Sequence, residues 1–229
     1  MYIFFQSTRV AFIDYKKGDV VNFIKILQSK IDDLLPKTFV TDCFPLGVTG
    51  ELNDVVFGEE VIHEHICRRL YFKPYLNKIR VNLKWESVYA CEALDRFQLD
   101  FFKIHSKEIE NINLSSPAHL SSIQEVDGSW LIVHSGPKEE VLKLIDFAKK
   151  QAVKIDKKPL FKVVTFADID GAISTNDLIP LFIKAERIFI GGGFNLIHET
   201  ESFRSKTIAL PFKRKYDNQV LRIKRAYSP

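Results

Sequence analysis

The stretch IFIGGGFN at residues 188–195 is the most informative part of the sequence. Its apolar residues predict a strand, and the three glycines that follow allow the backbone to approach a ligand closely. A helix is expected to begin at Phe194, directly after the glycines. The free N–H groups and the dipole at the start of such a helix favour a phosphate. The stretch therefore predicts a strand–turn–helix unit that holds an anionic ligand.

Strands and helices alternate on both sides of this unit. Apolar runs predict four strands, at residues 130–134, 160–166, 187–190 and 207–211. Apolar residues at helical spacing predict four helices, over residues 139–150, 176–185, 194–201 and 218–226. The second helix has Thr175 or Asn176 as its expected N-cap. Such alternation implies a parallel sheet with right-handed crossovers, so this half predicts a Rossmann-like α/β domain.

The first half of the chain has a weaker pattern. Residues 20–35 predict an amphipathic helix with four inward residues, Val21, Ile24, Ile31 and Leu35. The other apolar runs are short and lie at residues 39–42, 61–71, 88–93 and 101–105. The first of these predicts a strand, and the second fits either a helix or a strand.

A stretch rich in serine at residues 115–122 predicts a domain boundary. The expected fold is α/β with two Rossmann-like parts. The first part, residues 1–120, is abbreviated, and the second comprises residues 121–229. We expect the ligand to bind in the second part, where the strand–turn–helix unit lies.

Composition restricts the class of protein. The chain has 229 residues and a formal net charge of +4, which is low for a nucleic-acid-binding protein. No apolar run approaches the roughly 18 residues of a membrane-spanning helix. The three cysteines are an odd number far apart in sequence, which favours reduced thiols over a disulfide framework. These features predict a cytoplasmic protein that does not bind nucleic acid.

Polar side chains follow the last two strands of the second half. Glu199 lies one helical turn after Asn195, so a carboxylate there can accept hydrogen bonds from ribose hydroxyls. Asp217 and Gln219 follow the next strand, at the carboxyl edge where open parallel sheets bind ligands. These residues supply acceptors and a donor for the hydroxyls of a sugar.

This combination resembles the donor-binding domain of GT-B glycosyltransferases, in particular the MurG-like N-acetylglucosaminyl transferases and the UDP-glycosyltransferases. The resemblance covers roughly residues 129–225. It rests on the glycine turn, the helical Glu199, the strand that ends at Pro211, and the pair formed by Asp217 or Asn218 with Gln219. The resemblance implies that a nucleotide-sugar, with a UDP-sugar as the expected donor, is the substrate and that no separate cofactor is needed.

The resemblance also implies a role for each site residue. Glu199 would hold the ribose, and the last pair, drawn from Asp217, Asn218 and Gln219, would hold the donor sugar. Two loops would approach the diphosphate; their residues are His134, Ser135, Gly136, Gly191, Gly192, Gly193, Phe194 and Asn195.

The first half departs from the family pattern. GT-B enzymes begin with a strand and a Gly-rich loop that often carries the catalytic base, and Gly18 is the single glycine before Gly47. We expect a chain shortened at both ends, completed by a second chain or a homodimer. Asp42 is the best candidate base, with Glu51 and His134 behind it; the alternative role of Asp42 is a helix cap. The alternative function is a non-catalytic or partner-dependent module that binds a nucleotide-sugar.

The segment 168–171, Asp-Ile-Asp-Gly, has other interpretations. It resembles the nucleophile motif of HAD-type phosphatases, but Ala172 stands where that motif has Thr. As an EF-hand loop it would have Phe166 as its first ligand, and Phe166 cannot bind calcium. A solvated turn in which Asn176 or Asp177 caps the next helix is favoured.

Two further clusters have weaker signals. His63, His65 and Cys67 would share one face of a strand, but no fourth ligand has suitable spacing, so no metal is expected. Basic residues cluster near the C-terminus: Lys213, Arg214, Lys215, Arg222, Lys224 and Arg225. This cluster fits peripheral contact with anionic lipid headgroups, neutralisation of a diphosphate, or a solvated face.

Overall fold

The structure is a computed structural model that describes residues 2–6, 9–13, 19–77, 79–114 and 126–228. The chain divides into two compact units, Met1–Asn113 and Leu114–Pro229. The predicted boundary at residues 115–122 lies outside the described residues. Within the described ranges, no helix is long and apolar enough to cross a membrane.

The first unit contains a four-stranded parallel sheet in the order β3-β4-β5-β6. An antiparallel pair, β1 and β2, precedes it in the chain. The elements are β1 Tyr2–Gln6, β2 Arg9–Ile13, α1 Val20–Leu34, β3 Thr38–Asp42, β4 Ile62–Cys67, α2 Phe72–Leu76, β5 Trp85–Ala90, α3 Arg96–His105 and β6 Ser106–Asn111. The ambiguous run at residues 61–71 is therefore a strand at β4, whereas the run at 101–105 belongs to a helix.

Helix α1 forms where it was predicted, but two of its predicted inward residues were wrong. The side chain of Asp19 accepts a hydrogen bond from the backbone N–H of Asn22 and caps the helix. The buried stripe runs through Phe23, Leu27 and Ile31, one residue per turn. Val21 lies on the opposite side of the helix and is exposed. Leu35 adopts a left-handed conformation after the last turn, which also leaves it exposed.

The second unit contains another four-stranded parallel sheet, in the order β8-β7-β9-β10. Its elements are β7 Trp130–Val133, α4 Lys138–Lys154, β8 Phe161–Val164, α5 Ile179–Lys184, β9 Arg187–Gly191, α6 Phe194–Glu199, β10 Thr207–Leu210 and α7 Gln219–Tyr227. The four predicted strands and four predicted helices of this half are all present. The fold of both sheets is α/β and Rossmann-like in general kind.

The central strands of the second unit are buried on both faces. One face of β7 and β9 packs with residues of α5, α6 and α7, through side chains that include Leu131 and Ile188. The other face packs against α4, through side chains that include Trp130 and Phe189. Strands covered on both faces read as continuous apolar runs, which explains why the sequence located them.

Helix α5 begins later than predicted. Pro180 lies in its first turn, where the missing N–H costs no hydrogen bond. Before the helix, the hydroxyl of Thr175 accepts a hydrogen bond from the backbone N–H of Asp177 and closes a turn. The cap position is Leu178, with no side-chain cap. The predicted caps Thr175, Asn176 and Asp177 were therefore wrong.

Candidate functional site

The second sheet has a topological switch point between β7 and β9. The chain moves from β7 outward to β8, then returns to β9 on the other side of β7 and continues to β10. The loops after β7 and β9 therefore leave in opposite directions, which opens a crevice at their carboxyl ends. His134 follows β7, and Gly191 ends β9. Two of the predicted donor-binding loops thus meet at the position where sheets of this kind bind ligands.

His134 occupies this crevice, and two glycines leave room for its ring. The imidazole stacks on Phe212, with ring centroids 4.8 Å apart. A methyl group on Gly191 would lie 2.6 Å from Nδ1 of His134, and one on Gly136 would lie 2.4 Å from Nε2. Any residue larger than glycine would displace the ring at either position. The lack of a side chain at Gly136 and Gly191 thus allows the backbone to pack closely against His134 of the same chain.

Glu140, which the sequence analysis did not identify, joins His134 to Arg214. Nε2 of His134 lies 2.8 Å from Oε2 of Glu140. Arg214 donates from Nη1 to Oε1 and from Nη2 to Oε2 of the same carboxylate, in a bidentate pair. The hydrogen bonds from Arg214 hold the pKa of Glu140 well below its usual range. Glu140 is therefore ionised and acts as an acceptor only.

The remaining glycines of the turn differ in their surroundings. A methyl group on Gly192 would lie 2.7 Å from Cδ1 of Ile223 and 3.0 Å from Cβ of Gln219, so this glycine allows α7 to pack closely. A methyl group on Gly193 would meet no atom within 4 Å. Among the three glycines, Gly193 has backbone that is open to a ligand. Asn195, also predicted at the diphosphate, is exposed in the first turn of α6.

Glu199 lies at the end of α6 and is half-buried. Burial raises the pKa of its carboxyl group. Among the described residues, no donor hydrogen-bonds this carboxyl and no cation pairs with it. A half-buried carboxyl group loses hydrogen bonds to water, and here no protein donor replaces them. Hydroxyl groups of a ligand would supply these missing hydrogen bonds.

The three residues predicted to hold the donor sugar all have structural contacts. Asp217 forms a 2.6 Å ion pair with the buried Arg222. Oδ1 of Asn218 accepts from the backbone N–H of Leu221 and caps α7. Oε1 of Gln219 accepts a 2.8 Å hydrogen bond from the backbone N–H of Phe212. Together these contacts fix the loop between β10 and α7.

The candidate base Asp42 lies in the first unit, at the carboxyl end of β3. It forms a 2.7 Å ion pair with Arg68, and about half of its side chain is exposed (52%). The next helical turn has Gly50 as its N-cap, so Asp42 does not cap it. The weaker candidate Glu51 is buried and accepts hydrogen bonds from the backbone N–H groups of Val48 and Thr49. Glu51 therefore organises its own loop.

The other motifs show no assembled site. Asp168 is fully exposed and lies 3.6 Å from Lys138, as expected for a solvated turn. His63, His65 and Cys67 do alternate along a strand, β4, and the described residues contain no group of His, Cys, Asp and Glu side chains able to hold a metal. The basic C-terminal cluster is divided, because Arg214 and Arg222 pair with carboxylates of the same unit.

Comparisons with known proteins identify no relative. No family model, no curated protein sequence and no solved structure matches this chain.

Proposed function

We propose that the second unit binds a nucleotide-sugar and that the chain is a GT-B-type glycosyltransferase that uses a UDP-linked or similar donor. The observation that carries this proposal is the topological switch point between β7 and β9, where Glu140 joins His134 to Arg214. Open α/β sheets bind ligands at this position. Arg214 supplies positive charge there, as a diphosphate requires.

In the proposed reaction, a hydroxyl oxygen of the acceptor attacks the anomeric carbon of the donor sugar. The bond between that carbon and the diphosphate oxygen breaks, and the nucleoside diphosphate leaves with the electron pair. The leaving oxygen gains negative charge, which Arg214 and the first backbone N–H groups of α4 would stabilise. The acceptor hydroxyl loses a proton to a base, for which Asp42 remains the candidate from the first unit.

The position of Glu199 supports its proposed role as the residue that binds the ribose of the donor. Its carboxyl group is half-buried and has no partner among the described residues. Two ribose hydroxyls would donate to its two oxygens. The loop at residues 217–219 would contact the donor sugar through the side-chain donors and acceptors that are not used in its own structural contacts.

A second candidate function is a nucleotide-sugar-binding module that does not catalyse transfer or that needs a second chain or a homodimer to do so. Two observations favour it. Asp42 is engaged in an ion pair with Arg68 before any acceptor binds. Asp217 is held by Arg222, so its carboxylate is engaged before any sugar binds.

The proposal is tested by calorimetric titration of the full chain with UDP and with UDP-sugars. We expect wild-type binding, and a loss of about tenfold or more in Glu199→Ala because hydrogen bonds to a charged group contribute roughly 1.5–3 kcal/mol. Glu201→Ala is the matched control, because Glu201 is exposed and pairs only with Arg204 within the described residues. Absence of wild-type binding to any of these ligands would refute nucleotide-sugar binding.

Transfer activity separates the two candidate functions. Release of UDP from a bound UDP-sugar, in the presence of a mixture of hydroxyl acceptors, would support the enzyme. Binding without UDP release, also when the chain is supplemented with cell extract, would favour the module.

A further inference from the structure

The two faces of the first sheet are covered differently. Its strands follow one another in the order β3-β4-β5-β6, so right-handed crossovers place the connecting segments on one face. On that face Phe102 of α3 stacks on His65 of β4. On the opposite face, Val40 of β3 is 49% exposed and Ile62 of β4 is 44% exposed. Parallel sheets are normally covered on both faces, so these apolar side chains indicate a surface for a further element.

Three carboxylates lie on this open face. The register of the strands places Glu64 beside Ser87 and Ser87 beside Glu108, and Glu110 follows two residues later on the same face. Tyr89 donates a 3.4 Å hydrogen bond to Glu64, and Ser87 donates a 2.6 Å hydrogen bond to Glu108. Among the described residues, no lysine or arginine pairs with any of the three glutamates. The open face therefore combines exposed apolar side chains with uncompensated negative charge.

Helix α7 of the second unit has a surface of the complementary kind. Gln219 and Arg222 form its buried side. Val220, which is 65% exposed, and Lys224 lie one turn apart on the outer side, and the exposed Arg225 adjoins them. Lys224 forms no ion pair with a carboxylate of the described residues. The outer side of α7 is therefore apolar and basic.

The dimensions of the two surfaces also agree. Helix α7 has nine residues and is about 14 Å long. Strands β3 and β4 have five and six residues and are about 16–20 Å long. One helix of this length thus fits on the open face.

We propose that two copies of this chain form a dimer in which α7 of each copy covers the open face of the first sheet of the other. In this dimer, Val220 packs on Val40 and Ile62, and Lys224 and Arg225 face the three carboxylates. A symmetric dimer makes this contact twice. A second copy is favoured over an unrelated protein because the chain itself carries both complementary surfaces. The inference does not depend on nucleotide-sugar binding.

The experiment measures the dissociation constant of the dimer by analytical ultracentrifugation of the full-length protein. We expect the wild type to dimerise, and the dimer to weaken as salt is raised from about 0.1 to about 1 M, because salt screens the opposite charges. A face variant carries Glu64→Lys and Glu110→Lys, and a helix variant carries Val220→Glu and Lys224→Glu. Each variant should dimerise at least about tenfold more weakly, because like charges then oppose each other in both contacts.

An equimolar mixture of the two variants gives the sharpest test. In the mixed dimer, the lysines of the face variant meet the glutamates of the helix variant, and the unchanged surfaces meet in the other contact. The mixture should therefore dimerise within a few fold of the wild type, which would also show that both variants are folded. The control variant carries Glu59→Lys and Glu60→Lys, the same charge change in an exposed turn before β4, and should dimerise like the wild type.

Three results would overturn the inference. The first is a wild-type chain that stays monomeric at concentrations up to about 100 μM. The second is a dimer that neither charge reversal weakens, since its interface would lie elsewhere. The third is a mixture of the two variants that does not dimerise, because α7 and the open face would then not be partners. Titration with UDP tests the proposed function separately, so either conclusion can fail without the other.

Discussion

A buried histidine makes the first unit sensitive to acid. His65 of β4 is fully buried, with its ring stacked on Phe102 and Nδ1 2.9 Å from Oγ1 of Thr41. Nε2 has no hydrogen-bond partner among the described residues. Protonation would place a charge in this apolar environment. Burial therefore lowers the pKa of His65 from its ordinary 6.5 to about 3.

The expected loss of stability follows from these two pKa values. As the pH falls, the unfolded chain takes up a proton at His65 near pH 6.5, whereas the folded chain takes it up only near about 3. Acid therefore favours the unfolded state, and stability is lost between these values. At about pH 5 the loss is about 2 kcal/mol, and below both values it reaches roughly 4–5 kcal/mol. Above pH 6.5 this contribution to stability is fully present.

The assay is urea unfolding monitored by the fluorescence of Trp85, which is buried beside His65. The chain has two tryptophans, so a Trp130→Phe background makes Trp85 the sole reporter. In this background, the free energy of unfolding should fall by about 2 kcal/mol less in His65→Gln than in the parent when the pH is lowered from about 7 to about 5. His63→Gln is the control on the same strand, because His63 is only half-buried and should leave most of the acid effect. Equal losses in His65→Gln and its parent would refute the reasoning.

Two further predictions concern packing around the crevice, and both are checked by urea unfolding. Gly191→Ala should destabilise the second unit by about 1–3 kcal/mol because its methyl group would overlap His134, whereas Gly193→Ala should be neutral or slightly stabilising. Equal effects at the two glycines would contradict this packing. Gln219→Leu should cost about 1–3 kcal/mol because it leaves the buried N–H of Phe212 without its acceptor. Wild-type stability in that variant would show that water replaces the amide.

The second unit was predicted well because its sheet is covered on both faces. The continuous apolar residues of β7 and β9 identify buried strands without knowledge of their neighbours. The start of α5 was missed because Pro180 and the turn at Thr175 decide it locally, and capping preference alone pointed to the wrong residues. Strand order could not be read from the sequence, since it depends on contacts between distant segments.

The first unit was predicted less well because its signals compete. The run at residues 101–105 is short and apolar, which fits a strand, but Asp95 caps a helix that continues through it. Phe102 is then buried against the sheet while Ile104 is exposed. The apolar residues of this helix do not recur at helical spacing, because Phe97, Leu99 and Phe101 alternate as they would in a strand. The prediction of the buried face of α1 was wrong for a related reason. Phe23 and Leu27 are buried in the middle of the helix, whereas the predicted residues near its ends are exposed.

At the candidate site, the sequence located the loops but not the contacts between them. From the sequence, Glu140 is indistinguishable from other acidic residues in the first turn of a helix, where the helix dipole favours negative charge. Its partner Arg214 is 74 residues away, so no local pattern indicates the pair. The carboxylate and the arginine become informative only when β7 and β10 are placed in the same sheet.

Packing and ligand binding are compatible explanations of the glycine turn. Gly191 has no side chain because His134 needs the space, which assigns this glycine to internal packing. The ring of His134 fills that space, so Gly191 leaves no room there for a ligand. Gly193 adds open backbone on the same loop. The turn therefore combines Gly191, which internal packing with His134 requires, with Gly193, which meets no neighbouring atom and leaves its backbone accessible to a ligand.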